Sequence, residues 1–264
     1  MATLDRPGLS LHYALRGNGP PLLLVAGLAS DASSWLTVGE PLASRFLAIT
    51  PDNRGAGRTR PQDGPVSIDA MADDCAALLD HLSIARAHVL GHSMGGFVAQ
   101  RLALRHPARV DRLVLVATGA APGDRSVARF RDLADRLDAG EPPESWFPRL
   151  FALIFTRRFL SDRANADAAL RWAIDYPYPQ CAAAFRRQCD AIAAFDGSAD
   201  LTRIAAPALV IAGREDLLFS PVDCAALADR LRGAACVVLE GAAHAVHTEQ
   251  PKAFVAAVAS FLAH

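Results

Sequence analysis

Short apolar runs alternate with longer helical patterns along most of this 264-residue chain, and this alternation limits the folds that it can adopt. The runs that are apolar enough for strands buried on both faces span residues 22–26, 46–50, 87–90, 113–117, 208–212 and 235–239. Helical periodicity occupies residues 67–82, 94–105, 221–231 and 251–262. The residues before Arg6 and residues 9–15 have the pattern of an antiparallel hairpin at a sheet edge. The sequence therefore predicts an α/β fold in which helices sandwich a mostly parallel sheet.

The alternation stops between residues 122 and 205, where the sequence contains no run typical of a buried strand. Residues 129–137, 146–159 and 166–174 have the pattern of amphipathic helices instead, and aromatic residues concentrate in this region. Because the insertion is too long for a connector, we predict that it is a helical cap inserted after the sixth strand. The predicted domains are a core of residues 1–121 and 206–264 and a cap, or lid, of residues 122–205.

Composition and charge exclude several classes of function. The 27 Lys and Arg residues nearly balance the 28 Asp and Glu residues, without a basic run, so we expect no nucleic-acid partner. The longest apolar stretch, residues 20–28, is about half of a membrane span, and the first 16 residues lack the pattern of a secretion signal. We therefore expect a cytoplasmic protein with no membrane partner. The five cysteines are scattered and form no CxxC pair, so we expect no metal site, and nothing indicates a cofactor.

The sharpest local motif is GHSMGG at residues 91–96, which lies between a predicted strand and a predicted helix. A serine presented for attack needs a tight strand-to-helix turn, and small residues two positions before and after it permit that turn. Gly91 and Gly95 supply them around Ser93. The turn also places the backbone N–H of Met94 at a helix N-terminus, where it can stabilise an oxyanion. His92 is expected to point away from the serine, because adjacent side chains on such a turn diverge.

A serine nucleophile needs a base, and the base needs a carboxylate that orients it. Asp216 follows the predicted strand 208–212, and His244 follows the last predicted strand. The order serine, acid, histidine is the order that this type of turn requires, so we predict that these two residues complete a catalytic triad. Glu215 and Asp223 are alternative acids, and His247 is an alternative base.

A second oxyanion donor is expected in the loop after the strand 22–26, and the backbone N–H of Leu28 is the candidate. A second glycine-containing loop, residues 51–59, carries Gly55 and Gly57 after a predicted strand. It lacks the third glycine and the helix start of a dinucleotide-binding turn, so a nucleotide site is not predicted there.

Four motifs together resemble the α/β-hydrolase superfamily: GHSMGG at 91–96, PDNRGAGRT at 51–59, GRED at 213–216 and HAVHTEQP at 244–251. The resemblance covers nearly the whole chain and is closest to the 3-oxoadipate enol-lactonases and related small carboxylic ester hydrolases. Aminoacrylate hydrolase-like proteins are similar too. In this resemblance the loop 51–59 is structural, and Arg54 braces it. Many relatives have His-Gly where this chain has Ala26 and Gly27, so a side chain that often braces the oxyanion loop is missing.

The resemblance implies a serine esterase or lactonase that acts on a small-molecule ester or lactone through an acyl-enzyme. A serine at position 93 argues against the haloalkane dehalogenase and epoxide hydrolase branches, which need an aspartate there. Perhydrolase or haloperoxidase-type activity on the same triad and a hydrolase-like small-molecule receptor stay as alternatives. A homodimer is also left open.

We expect substrate contacts from Gly27, Trp146 and Phe151, with the cap aromatics forming a largely apolar pocket. Five arginines of the predicted cap have two interpretations: one that faces inward would bind a substrate carboxylate, whereas outward-facing ones would pair with Asp162, Asp167 or Asp190. The five are Arg157, Arg158, Arg163, Arg186 and Arg187.

Overall fold

Eight strands form one mixed sheet in the computed structural model, which describes residues 2–263. The strands are β1 (Ala2–Arg6), β2 (Leu9–Arg16), β3 (Pro21–Val25), β4 (Leu47–Pro51), β5 (Ala87–His92), β6 (Val110–Val116), β7 (Ala208–Gly213) and β8 (Ala235–Leu239). Their order across the sheet is β1-β2-β4-β3-β5-β6-β7-β8. The β1–β2 and β2–β4 pairs are antiparallel, and all later pairs are parallel. The predicted α/β class and the antiparallel hairpin at the edge are confirmed.

Helices cover both faces of this sheet. Those of the core are α1 (Leu36–Ala43), α2 (Ile68–His81), α3 (Met94–Arg105), α9 (Pro221–Arg230), α10 (Val246–Glu249) and α11 (Pro251–Leu262). Alternate side chains of β3 enter two separate apolar clusters, because successive residues of a strand point to opposite faces. Leu23 packs on the side of α2, α3 and α9, and Leu24 packs on the side of α1 and α11. No helix within residues 2–263 is long and apolar enough to cross a membrane.

Five helices lie between β6 and β7, in the segment that we call the insertion (residues 117–207). They are α4 (Asp124–Asp138), α5 (Pro143–Ile154), α6 (Arg157–Ser161), α7 (Arg163–Ile174) and α8 (Ala182–Ala193). The single helix predicted over 146–159 is two helices, because the Thr156 side chain accepts the N–H of Phe159 and starts α6. Helix α8 was not predicted, since small and polar residues interrupt the apolar pattern of its buried face, which consists of Ala184, Phe185, Gln188, Cys189 and Ile192.

Candidate active site

Ser93 occupies a sharp turn between β5 and α3, at the middle of the sheet. Its backbone has φ +55° and ψ −119°, and its N–H donates to Val116 O at 2.9 Å. A Cβ atom on Gly91 would lie 2.1 Å from Gly95 O, and a Cβ atom on Gly95 would lie 2.1 Å from Val25 O. Larger residues would therefore force the turn apart, which is the steric reason for the predicted Gly-x-Ser-x-Gly spacing.

Asp216 and His244 lie in the loops that follow β7 and β8, and their side chains are in contact. His244 Nδ1 is 2.9 Å from Asp216 Oδ2, and both side chains are buried. The other carboxylate oxygen, Oδ1, accepts the backbone N–H groups of Leu218 at 2.7 Å and Phe219 at 3.1 Å. These two donors fix the carboxylate plane and leave Oδ2 to the imidazole. The Phe219 ring stacks on His244 with centroids 6.0 Å apart.

The alternative acids and the alternative base make other contacts. The side chain of Glu215 is exposed to solvent. Asp223 forms a reciprocal cap with Ser220 at the start of α9, where its carboxylate accepts the Ser220 N–H at 2.8 Å. His247 is buried against the ring of Trp35, with centroids 4.9 Å apart. Asp216 is thus the acid that the fold brings to His244.

Two further histidines surround the imidazole of His244. His92 Nε2 lies 3.0 Å from the backbone oxygen of His244, and the two rings are 4.8 Å apart. Burial and the nearby His244 and His247 keep the pKa of His92 well below its ordinary value. Burial and His244 lower the pKa of His247 to about 4. Because a carbonyl oxygen only accepts, a neutral His92 must carry its proton on Nε2 and donate it.

The contact between His92 and the backbone of His244 was not predicted. The sequence predicts only that the side chain of His92 points away from Ser93. His92 forms no hydrogen bond with the carboxylate of Asp216, so it is not an alternative general base. Its ring instead positions the main chain of His244 through the hydrogen bond to the backbone oxygen. The signal that could have found it is its position at the end of a central strand, beside the loop that carries His244.

The loop after β3 lies directly against the serine. A Cβ atom on Gly27 would be 3.2 Å from Ser93 Cβ and 3.3 Å from His92 Nδ1, so a larger residue would crowd both side chains. Asn53 Nδ2 donates to Ala26 O at 2.9 Å. This bond supports the loop at the position where many relatives have a histidine and this chain has Ala26. Leu28 follows at the turn and is half-buried.

The loop 51–59 is held from below by the pairing of Arg54 with Asp74, as the resemblance implied. Arg54 Nη2 lies 3.0 Å from Asp74 Oδ1, and its Nε binds the other carboxylate oxygen. The side chain of Asp74 is 3% exposed and that of Arg54 is 17% exposed, so this ion pair is mostly shielded from solvent.

A cavity of about 330 Å³ lies between this part of the core and the insertion. Trp146 lines it, as expected for a substrate-binding residue, whereas Phe151 does not and packs on Phe147 with ring centroids 5.8 Å apart. The lining starts at Ala29, two residues after Gly27, and it does not include Ser93 or His244. The core residues that line it are Ala29, Ser30, Asp31, Ser33, Ser34, Ala56 and Gly57. The lining residues of the insertion are Leu137, Pro143, Trp146, Phe147, Trp172, Ala173, Ile174, Tyr176, Tyr178, Pro179, Gln180 and Phe185.

A family model described as "alpha/beta hydrolase fold" matches residues 20–251, which is most of the chain. The chain belongs to the α/β-hydrolase family. A protein from Caulobacter sp. (strain K31) that carries the name carbamate hydrolase RutD is 35% identical over 266 residues, covering 98% of this chain and 97% of the relative. The 3-oxoadipate enol-lactonase 2 of Acinetobacter baylyi is 31% identical and covers 97% of this chain and 94% of its own length.

A solved structure gives the same assignment for this α/β-hydrolase. The enol-lactonase from Burkholderia xenovorans LB400 superposes with a TM-score of 0.90 at 30% sequence identity, and the match covers 100% of both chains. The resemblance of the four sequence motifs to this superfamily is confirmed, and the chain is a hydrolase.

The insertion of this α/β-hydrolase is bonded to the loop that carries His244. The N–H of Ala245 donates to Ile154 O at 2.9 Å. The carboxylate of Glu249 accepts from Thr156 Oγ1 at 2.6 Å and from the Ala243 N–H at 2.8 Å. The residues on both sides of His244 are therefore bonded directly, or through one carboxylate, to the junction between α5 and α6. We call these contacts the Glu249 junction. No pattern in the sequence predicted them.

Three of the five arginines named from the sequence bind partners other than those expected. Arg186 pairs with Asp135 and Asp138 of α4 rather than with the acids named from the sequence, because α4 and α8 lie side by side. Arg187 donates to Asp63 O, and Arg158 donates to Gly241 O at 3.2 Å. None of the five arginines lines the cavity. Within residues 2–263, no group of three His, Cys, Asp or Glu side chains is arranged to hold a metal ion.

Proposed function

We propose that this α/β-hydrolase cleaves small carboxylic esters or lactones through an acyl-enzyme, with Ser93, His244 and Asp216 as its catalytic triad. The observation that carries the proposal is the 2.9 Å contact between His244 Nδ1 and Asp216 Oδ2. The second supporting feature is Ser93, which lies on a strained strand-to-helix turn. Acyl transfer requires a nucleophile, a base and an acid that orients the base, and these three residues supply them. Their order along the chain, serine, acid, histidine, is that of the family.

In the proposed reaction, Ser93 Oγ attacks the carbonyl carbon of the ester while His244 Nε2 takes the hydroxyl proton. Asp216 accepts the Nδ1–H of His244, which keeps the imidazole in the tautomer whose Nε2 is free to accept a proton. The tetrahedral intermediate collapses, and the imidazolium gives its proton to the departing alkoxide. Water then attacks the acyl-enzyme by the same route and releases the acid and the serine.

The oxyanion of each intermediate is assigned to the backbone N–H groups of Met94 and Leu28. Met94 is the first residue of α3, so its N–H lies at the positive end of that helix. Leu28 follows Gly27, whose close approach to Ser93 brings this loop to the nucleophile. By precedent, one such donor contributes about 3 kcal/mol to the stabilisation of the transition state.

We further propose that residues 122–205 act as a cap over a core of residues 1–121 and 206–264. The supporting observation is the cavity, which is lined by core residues on one side and by insertion residues on the other. Trp146 and Gly27 are assigned to substrate contact. Phe151 is assigned there only through the ring of Phe147, which does line the cavity.

The test is the intact mass of the protein after treatment with a fluorophosphonate, compared between wild type and Ser93→Ala. A single adduct on the wild type and none on the variant is expected. A folded wild type that takes no adduct would contradict the proposal and favour the small-molecule receptor. Hydrolysis is then measured on p-nitrophenyl esters, lactones and a p-nitrophenyl carbamate, with peroxide-dependent halogenation as the assay for the alternative chemistry.

A further inference from the structure

The cavity beside the Gly27 loop is lined mainly by aromatic rings and by few charged side chains. Its walls carry six aromatic rings but one acidic or basic side chain, that of Asp31, which is 4% exposed. The rings are those of Trp146, Phe147, Trp172, Tyr176, Tyr178 and Phe185. An apolar site with one ionised group is selective, because any charge that enters it meets little screening from water.

The negative charge of Asp31 is held in place by hydrogen bonds. One carboxylate oxygen accepts the N–H of Ser33 at 2.8 Å and the Ser33 hydroxyl at 2.5 Å, and the Tyr176 hydroxyl donates to the other. All three donors are neutral groups. Burial and Asp31 itself raise the pKa of Tyr176, so this hydroxyl remains a protonated donor. The contacts stabilise the carboxylate without neutralising it.

A second carboxylate, that of Asp52, lies beneath the same part of the wall. A Cβ atom on Gly57 would be 2.5 Å from Asp52 Oδ2 and 2.7 Å from Asp31 Oδ2, so the two acids border one backbone position. Arg58 Nε contacts Asp52 at 3.2 Å and balances its charge. His12 also faces Asp52, but burial lowers the pKa of this histidine, which favours its neutral form. The Arg58 guanidinium also lies 4.9 Å from the ring centroid of Tyr178, and Arg60 donates to Gly57 O at 2.7 Å. These guanidinium groups lie outside the lining of the cavity, and Asp31 is the charged side chain within it.

The cavity begins where the proposed oxyanion loop ends. Gly27 lies against Ser93, Leu28 supplies the proposed oxyanion donor, and Ala29 is already part of the cavity wall. Since neighbouring Cα atoms are about 3.8 Å apart, a carbonyl held at Leu28 is within one residue of the cavity. An acyl chain that extends from this carbonyl past Ala29 would enter the cavity.

We infer that this cavity selects against substrates that carry a carboxylate on the acyl chain, and that it accepts chains whose far end is uncharged or cationic. A carboxylate would face Asp31 and would find no arginine among the residues that line the cavity. A cationic end would meet a carboxylate and aromatic faces instead. The inference rests on the proposed function for its place in the reaction.

Three esters of matched length test the selectivity: p-nitrophenyl pentanoate, mono-p-nitrophenyl glutarate and p-nitrophenyl 4-(trimethylammonio)butanoate. We expect kcat/KM for the neutral ester to exceed that for the anionic ester by at least about tenfold. The cationic ester should react no more slowly than the neutral one. Equal or faster turnover of the glutarate monoester would overturn the inference.

Two variants locate the selectivity in the charge of Asp31. Asp31→Asn keeps the size of the side chain and removes its charge, so the ratio of neutral to anionic kcat/KM should fall by at least about threefold. Tyr176→Phe removes a hydrogen bond and keeps the charge, so the ratio should persist. An unchanged ratio in a folded Asp31→Asn protein would refute the assignment. If that variant does not fold, the three esters on the wild type decide.

A binding measurement separates this inference from the proposed function. In Ser93→Ala, the fluorescence of Trp146 and Trp172, which both line the cavity, reports occupancy without turnover. Pentananilide should bind with a Kd at least about tenfold lower than glutaranilate, its anionic counterpart. Equal or tighter binding of glutaranilate overturns the inference, even if the wild type hydrolyses esters. Failure of fluorophosphonate labelling would remove the esterase proposal and leave this binding preference to be judged by itself.

Discussion

Replacing Asp216 with asparagine should disable the proposed triad through the orientation of a single amide. Two backbone N–H groups, those of Leu218 and Phe219, point at Oδ1 of Asp216. An asparagine that keeps its oxygen there must present its NH₂ group to His244 Nδ1. That group donates to Nδ1, so the imidazole carries its proton on Nε2 and cannot accept the proton of Ser93.

The size of the effect follows from the cost of turning the amide over. The flipped asparagine offers its oxygen to His244 but leaves two buried N–H donors facing an NH₂ group. Each unsatisfied donor costs about 1–3 kcal/mol, or about 2–6 kcal/mol together. The active orientation is then populated in about one molecule in 30 to one in 20,000. We therefore expect kcat/KM to fall at least about 30-fold.

The assay is p-nitrophenyl pentanoate hydrolysis at neutral pH, with circular dichroism melting to verify that the variant is folded. Glu215→Gln is the matched control, because it makes the same chemical change in the neighbouring acid, whose side chain is exposed. It should keep wild-type kcat/KM. A folded Asp216→Asn protein that loses less than about tenfold would refute the reasoning from the two N–H donors.

Three further predictions concern stability and the turn. Gly95→Ala places a methyl group 2.1 Å from Val25 O, so the Tm and fluorophosphonate labelling should both fall. Gly39→Ala, in α1 with nothing within 4 Å of the new methyl group, should instead raise the free energy of unfolding by about 0.5–1 kcal/mol, measured by urea denaturation. Burial lowers the pKa of His247 from 6.5 to about 4. As the pH falls from 6.5 to 4, the unfolded chain therefore takes up this proton before the folded protein does. The free energy of unfolding should fall by about 3 kcal/mol over this range. His247→Leu should remove this contribution and make the pH dependence less steep, while the part that comes from His92 remains. An unchanged slope would contradict the assignment.

The core strands were predictable because each is apolar on both faces, a property that sequence records directly. Strand β8 has the predicted bounds, and β5 extends two residues further, to His92, because the parallel ladder with β6 continues to the end of the turn. Helix α1 was missed, since Gly39 and Pro41 weaken its propensity, and contacts with α10 and α11 stabilise it instead.

The site was predictable where it depends on strand order and unpredictable where it depends on long-range contacts. The carboxyl ends of neighbouring parallel strands meet at one edge, so Asp216 and His244 could be paired from their places after β7 and β8. No local pattern pairs Tyr176 with Asp31, because 145 residues separate them. The same is true of Glu249 and Thr156, which are 93 residues apart in the sequence.

The bonds of the Glu249 junction restrict how the insertion could move relative to the loop of His244. Lifting the insertion away at this edge would break the bond from Ala245 to Ile154 O and the bonds from Thr156 to Glu249, which support the loop of His244. A movement that pivots at the junction would leave the histidine loop intact, and it could uncover the cavity from the side of Tyr176. The general base would then stay assembled while substrate enters. In hydrogen exchange, the amides of Ala243, Ala245 and Thr156 should open together, and more slowly than those of α7.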